Sequence, residues 1–263
     1  TLFTRLGIPE AAKTFSIATA ATAGTAGVSG TVMYKIANVN SAGVVGNLSS
    51  ALTLALGAGS AIVSLASIPI APASHGVNAR NIYRTEANGS AYFYNTQIAD
   101  NTTTTYKDEA TDADLITAAP TDQAEPPNFK LLVSHKNRLF MVDNTDLSVV
   151  KYSEISNPYV VKTTSTEPIG EGDGKIKMLG VNSDAIAAVK DNDDAWLLYL
   201  ADNDPTNWFP IKTNSPYGTR SSFNLNVNDQ LLFLGTLAGQ PIGFVGLQGV
   251  NPTNEAVGTD IGA

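Results

Sequence analysis

The last 136 residues carry an internal repeat of about 46 residues, and this period constrains the fold more than any other feature of the chain. The stretch HKNRLFMVD, with Arg138, lines up with NSDAIAAVK, with Asp184, and with VNDQLLFLG, with Asp229, at offsets of 46 and 45 residues. The ends of the units align too: SEISNP closes at Pro158, ADNDP at Pro205 and GLQGVNP at Pro252, each 47 residues after the last. Every unit offers a turn, two apolar strands and a polar loop, the sequence form of a four-stranded propeller blade. The first of the two strands (Arg138 to Val142, Ala185 to Val189, Leu231 to Leu234) is apolar enough for burial on both faces. The second (Ser148 to Tyr152, Trp196 to Leu200, Ile242 to Val245) pairs with it across loops such as Asp191-Asn192-Asp193-Asp194. Three units are visible, whereas closed propellers have about 4 to 8 blades. Either further blades come from elsewhere, or the array is open, or strands before Gly30 contribute.

The first half has a different rhythm. TVMYKIANV, Thr31 to Val39, alternates apolar and polar as a half-buried strand does, and Asn40-Ser41-Ala42-Gly43 supplies a turn. Leu48 to Leu54 resumes the alternation, Gly57-Ala58-Gly59 breaks it, and Ala61 to Leu65 begins again. Ile82 to Thr85, the turn Asn88-Gly89, Tyr92 to Tyr94, and Thr104 to Asp108 complete about seven strands in roughly 90 residues, the pattern of a β-sandwich. Tyr34, Ile82, Tyr83 and Tyr92 are its expected core, and Asp108 is expected to close a turn after the last strand. Residues 1–26, small and apolar in AAKTFSIATAATAGTAG, read as a strand or an assembly arm. Residues 27–118 then form the sandwich, 119–127 (Pro120, Pro126, Pro127) a linker, and 128–263 the repeats.

Composition closes off several function classes. There are no cysteines, which removes disulfides, thiolate metal sites and cysteine nucleophiles. With 16 basic residues spread along the chain and a net charge of -8, a sequence-independent grip on nucleic acid is disfavoured, and the acidity suits a surface past which DNA slides. Thr1 to Gly7 has neither the basic nor the apolar region of a signal peptide, and there is no initiator Met, which leaves processing or a fragment open. The apolar run Ala51 to Ile70 is interrupted by Gly57, Gly59, Ser60, Ser64 and Ser67 and reads as two strands around a turn, not a membrane span. The glycosylation-type triplets at Asn47, Asn88 and Asn101 are what chance produces in a chain this rich in Asn, Ser and Thr.

The combination of TVMYKIANVNSAGVVGNLSS, ARNIYRTEANGSAYFY and IADNTTTTYKDEATDADL resembles the fibronectin-III-like module of tailed-bacteriophage virion proteins. The stretch Pro127-Asn128-Phe129, HKNRLFMVD and KYSEISNP is similar to the blades of phage propeller proteins. Asp204-Pro205-Thr206-Asn207-Trp208 echoes their Asp-Pro-x-x-Trp ending. The resemblance implies an all-β chain, an Ig/fibronectin-III-like sandwich followed by β-propeller-like four-stranded repeats. It implies a non-enzymatic role in a tail or head-to-tail ring, nozzle or hub: a homo-oligomeric ring in the virion, neighbouring tail or neck proteins as partners, and genomic DNA only as passing cargo during ejection. No cofactor and no membrane insertion are expected, and the short repeat count departs from a closed propeller.

Residues that could carry chemistry are few. His75, in Ala73-Ser74-His75-Gly76, and His135, before Asn137-Arg138, each read as loop residues rather than bases. Gly170-Glu171-Gly172-Asp173-Gly174-Lys175 is Gly-rich, but its acids oppose phosphate. Asp191-Asn192-Asp193-Asp194 and Asp202-Asn203-Asp204 offer oxygens to Ca²⁺ without an EF-hand spacing, and such runs also build turns. Glu167 with Glu171, or Asp143 with Asp146, are the conceivable glycosidase pairs. Arg138 is expected to tie a blade turn through backbone carbonyls. The alternative function is a carbohydrate-binding or carbohydrate-cleaving surface protein, with Trp196 and Trp208 as its stacking platform. A eukaryotic-style propeller scaffold lacks its Gly-His and Trp-Asp signatures. No catalytic, cofactor or metal residue is assigned.

Overall fold

The computed structural model describes residues 7–12, 15–22, 27–56, 61–170, 174–227, 230–250 and 256–260. The chain is all-β and divides into two units, Thr1–Glu125 and Pro126–Ala263.

The first unit is an Ig-like sandwich. Its strands are β1 (Ser16–Thr22), β2 (Thr31–Asn40), β3 (Val45–Leu48), β4 (Leu52–Ala55), β5 (Ala61–Ala66), β6 (Val77–Thr85), β7 (Tyr92–Ile98) and β8 (Tyr106–Asp108). One sheet has the order β1-β5-β8, the other β3-β2-β6-β7 with β4 also on β2, and all pairs are antiparallel. Alternation along β2 turns Val32, Tyr34 and Ile36 inward, where they meet Val63 and Leu65 of β5 and Ile82 of β6. Burying each such side chain contributes about 1.5–3 kcal/mol. The turn after β2 is held by Asn40, whose Oδ1 accepts from the N–H groups of Ala42 and Val44 at 3.0 Å, while Gly43 takes φ 77°.

Two details differ from the sequence reading. Ile8, Ala11 and Phe15 are buried, Ala11 and Phe15 in the cluster with Tyr34 and Ile36, and residues 16–22 pair with β5, so the sandwich begins before residue 27 and, of strand or assembly arm, residues 16–22 form the strand. The expected strand 48–54 is two strands. Ser49 is drawn in by the Ile36 N–H, which donates to its Oγ at 3.0 Å, and this interrupts the alternation between β3 and β4. The expected turn at Gly57-Ala58-Gly59 lies outside the described residues.

The second unit consists of three four-stranded antiparallel meanders. Blade one is β9 (Phe129–His135), β10 (Arg138–Asp143), β11 (Val149–Tyr152) and β12 (Thr166–Pro168). Blade two is β13 (Ile176–Asn182), β14 (Ala185–Lys190), β15 (Ala195–Tyr199) and β16 (Phe209–Lys212). Blade three is β17 (Asn224–Val227), β18 (Gln230–Leu237), β19 (Gln240–Val250) and β20 (Ala256–Asp260). The first hairpin of each blade sets the repeat: His135 faces Arg138, Asn182 faces Ala185, and Val227 faces Gln230. Arg138 is therefore equivalent to Ala185 and Gln230, at spacings of 47 and 45, and the alignment of Arg138 with Asp184 is one residue out. In a strand a slip of one residue exchanges the two faces, so this correction decides what each blade presents to the next. Asp229 and Pro252, used as anchors of the repeat, lie outside the described residues.

Blade two is covered on both sides. Ile186, Ala188 and Leu198 pack with Phe140, Val142, Val150 and Tyr152 of blade one. Ala185, Ala187, Val189, Ala195 and Leu197 pack with Leu231, Phe233, Val245 and Leu247 of blade three. β14 is accordingly buried at all six positions.

Candidate functional site

Most of the side chains with possible chemistry are engaged in building turns. Asp204 Oδ1 accepts from the Thr206 N–H at 3.0 Å and its hydroxyl at 2.8 Å, starting the short 3-10 turn Pro205–Asn207, and these donors hold its pKa below the usual carboxylate range. Asp202 accepts from the Asp204 N–H at 2.7 Å and from Asn207 Nδ2 at 2.8 Å. In the other acidic loop, Asp191 Oδ1 accepts from the Lys175 N–H, Asp194 faces Lys212 Nζ at 2.6 Å, and Asp193 Oδ1 accepts from the Thr236 hydroxyl. Asp143 serves Thr145 and Lys151, and Asp146 serves Ser148. Among the described residues no three His, Asp or Glu side chains gather as metal ligands. Burial pushes the Glu167 carboxyl up, but its suggested partner Glu171, with Gly172 and Asp173, lies outside the described residues.

The two histidines belong to different units. His75 ends a 3-10 turn, Ala73–His75, in the sandwich, and His135 ends β9 in blade one. Burial, then the neighbouring Lys136 charge, holds the His135 pKa below its ordinary value.

Arg138 is a structural tie. It donates to the Ser153 carbonyl at 2.6 Å and the Asn203 carbonyl at 3.2 Å, and its guanidinium lies over the Tyr152 and Trp208 rings at 5.6 and 5.4 Å. Trp208 is 7% exposed, donates its indole N–H to the Asp202 carbonyl, and packs against Phe140 and Tyr152, so its ring faces are spent inside the blade interface. Trp196 is half-buried against the same cluster, and its ring fills the place a Cβ would occupy at Gly170.

Two buried arginines in the sandwich escaped the sequence reading. Arg84 Nε faces Asp108 Oδ2 at 3.1 Å, a charge contact supplemented by the Tyr34 hydroxyl, which donates to the same oxygen at 2.6 Å. All three side chains are inaccessible, and Asp108 is a buried bridge between the two sheets rather than only the turn residue expected of it. Arg80 is equally buried and donates to the carbonyls of Pro69, Asp100 and Thr103. The only signal in the sequence was a pair of arginines four residues apart, hence on one face of the strand with Ile82 between them.

The feature that looks outward is the far face of blade three. Asn224 and Asn226 of β17 donate to the Leu179 and Val181 carbonyls of blade two, which turns Leu225 the other way. Leu225 is opposite Leu232, and Leu234 opposite Phe244, so these residues share one face. Phe223 joins them through an edge contact with Phe244 at 6.4 Å. Phe223, Leu225, Leu234 and Phe244 are 49, 52, 40 and 49% exposed. The expectation that Leu231 to Leu234 is buried on both faces thus fails at Leu234, because no fourth sheet covers it among the described residues.

No protein-family model and no curated protein matches the chain. A solved structure, dihydro-heme d1 dehydrogenase NirN in complex with DHE, aligns over 88% of this chain at 8% identity and a TM-score of 0.36. The chain spans 44% of that protein's length, and a likeness this loose carries no argument about fold or activity.

Proposed function

We propose that the chain is a structural component of a phage virion, part of a tail or head-to-tail ring built by homo-oligomerisation and by contacts with neighbouring tail proteins. The observation that carries this reading is the far face of blade three, where Phe223, Leu225, Leu234 and Phe244 form an exposed apolar surface on a chain otherwise charged at -8. A contiguous exposed apolar surface rimmed by polar residues marks an interaction site. Asp202 and Asp204 are committed to a turn, Asp191, Asp193 and Asp194 to contacts with Lys175, Thr236 and Lys212, and Trp208 to packing, which leaves them unavailable for recognising a glycan. The phage-like motifs of both halves supply the virion context, and the net negative charge suits a passage through which DNA moves without adhering.

Light scattering followed by negative-stain imaging tests the proposal. A closed ring with a central opening is the expected result. A monomer at all concentrations, in the presence and absence of salt, would overturn it.

A further inference from the structure

We infer that residues 117–123 are a releasable strap, folded onto the sandwich and able to come away before the sandwich unfolds, so that the connection to the second unit can lengthen. The sequence marks residues 119–127 as a linker, and the structure fastens the first part of it down.

The order β3-β2-β6-β7 puts β7 and β3 at opposite edges of one sheet, and the strap is tied to both. At β7, the Tyr94 N–H donates to the Thr117 carbonyl at 2.7 Å, the Ala119 N–H donates to the Tyr92 carbonyl at 2.9 Å, and Ala118 bridges Phe93 antiparallel. At β3, the Gln123 N–H donates to Asn47 Oδ1 at 2.7 Å. Three strand spacings, about 14 Å, separate the two edges, and the four steps from Ala119 to Gln123 reach about 13 Å when extended. The chain between them therefore crosses the sheet. It crosses on the face turned away from the core. Ile36 and Ile82 belong to the interior cluster, so Ala37 and Tyr83, one residue further along, point to the other face, where they are 0 and 2% exposed.

Uneven attachment makes the strap releasable. Just upstream the chain is held hard: Leu115 is 4% exposed, and Asp112 accepts from Arg84 Nη1 at 3.0 Å and from the Ala87 N–H at 2.9 Å. From Ile116 to Ala124 no side chain is buried. A segment with few buried apolar contacts opens locally, at a free energy below that of global unfolding, whereas β2 and β6 are core strands. Release of residues 117–123 gives a reach of up to about 25 Å. It also bares the β7 edge, which the fastened strap keeps from pairing with another chain.

Hydrogen exchange read by mass spectrometry on the full chain tests the strap, using the wild type, Asn47→Ala and Ala119→Pro, each variant lacking one fastening. In the wild type, residues 117–123 should exchange more slowly than a free peptide of the same sequence, yet at least about tenfold faster than β2 and β6. Each substitution should speed exchange of the strap about fivefold, the contribution of one hydrogen bond, and leave β2 and β6 unchanged. Wild-type exchange at the free-peptide rate would show that the segment is not fastened. Exchange in step with β2 and β6 would make it an integral strand that opens only with the whole sandwich. Either result overturns the inference, as does a strap that responds to neither substitution.

Discussion

Tyr34 and Asp108, 74 residues apart in sequence, meet across the sandwich in a 2.6 Å hydrogen bond, with Arg84 against the same carboxylate oxygen. Burial, reinforced by the Asp108 charge, pushes the Tyr34 hydroxyl pKa far up, so it stays a donor at any working pH. The arrangement joins one sheet to the other by a polar contact in an otherwise apolar interior.

Removing parts of this cluster should therefore have unequal effects. Tyr34→Phe leaves Asp108 paired with Arg84 and should cost about 1–3 kcal/mol. Asp108→Leu leaves Arg84 paired with Asp112 at 3.0 Å and bonded to the Ala110 carbonyl, but strands its Nε and the Tyr34 hydroxyl in the interior, and should cost more, about 3–5 kcal/mol. Urea denaturation followed by far-ultraviolet circular dichroism checks both, and equal costs would refute the hierarchy.

Lys190 offers the opposite outcome. It is fully buried at the end of β14, and its Nζ has no hydrogen-bond partner among the described residues. Burial lowers its pKa, with Asp194 opposing. Lys190→Met should be neutral or stabilise the second unit by up to about 2 kcal/mol, since it removes a charge whose desolvation is incompletely offset. Calorimetric melting is the measurement, and marked destabilisation would show that the ammonium has an essential partner.

His135 should make stability fall as pH drops from about 6.5, the ordinary value in the unfolded chain. Its folded pKa is depressed by burial, so the unfolded state binds the proton more readily and gains on acidification. The contribution is complete above the unfolded pKa and is lost as pH falls through the folded one. His135→Gln should flatten this part of the stability profile, measured by urea midpoints between pH 5 and pH 8; an unchanged slope would exclude His135 as its source.

Gly170 has φ 68°, and a Cβ there would collide with the Trp196 ring. Gly170→Ala should destabilise the interface of blades one and two by about 1–3 kcal/mol, from both the left-handed backbone and the displaced indole. Tryptophan fluorescence should shift with the melting temperature, whereas an unshifted spectrum with wild-type stability would refute the contact.

Periodicity by itself determined that the chain is all-β, with a sandwich and then blade-like sheets, because alternation and repeat spacing are local properties that a strand cannot hide. It also marked Asp202 and Asp204 as turn builders, since Asx bonds to nearby backbone follow from short-range geometry, whereas Arg138, Asp191, Asp193 and Asp194 bind groups 15 to 65 residues away. Only the tertiary structure decided the rest. Whether Leu234 is buried like Val189 depends on the presence of a further sheet, which the residue type does not encode. The one-residue correction from Asp184 to Ala185 mattered because strand faces exchange with every step, and the hairpin hydrogen bonds alone set that step. The partners of Asp108 lie 24 and 74 residues back in the chain, and a carboxylate at a strand end looks the same in sequence whether it faces water or a buried arginine.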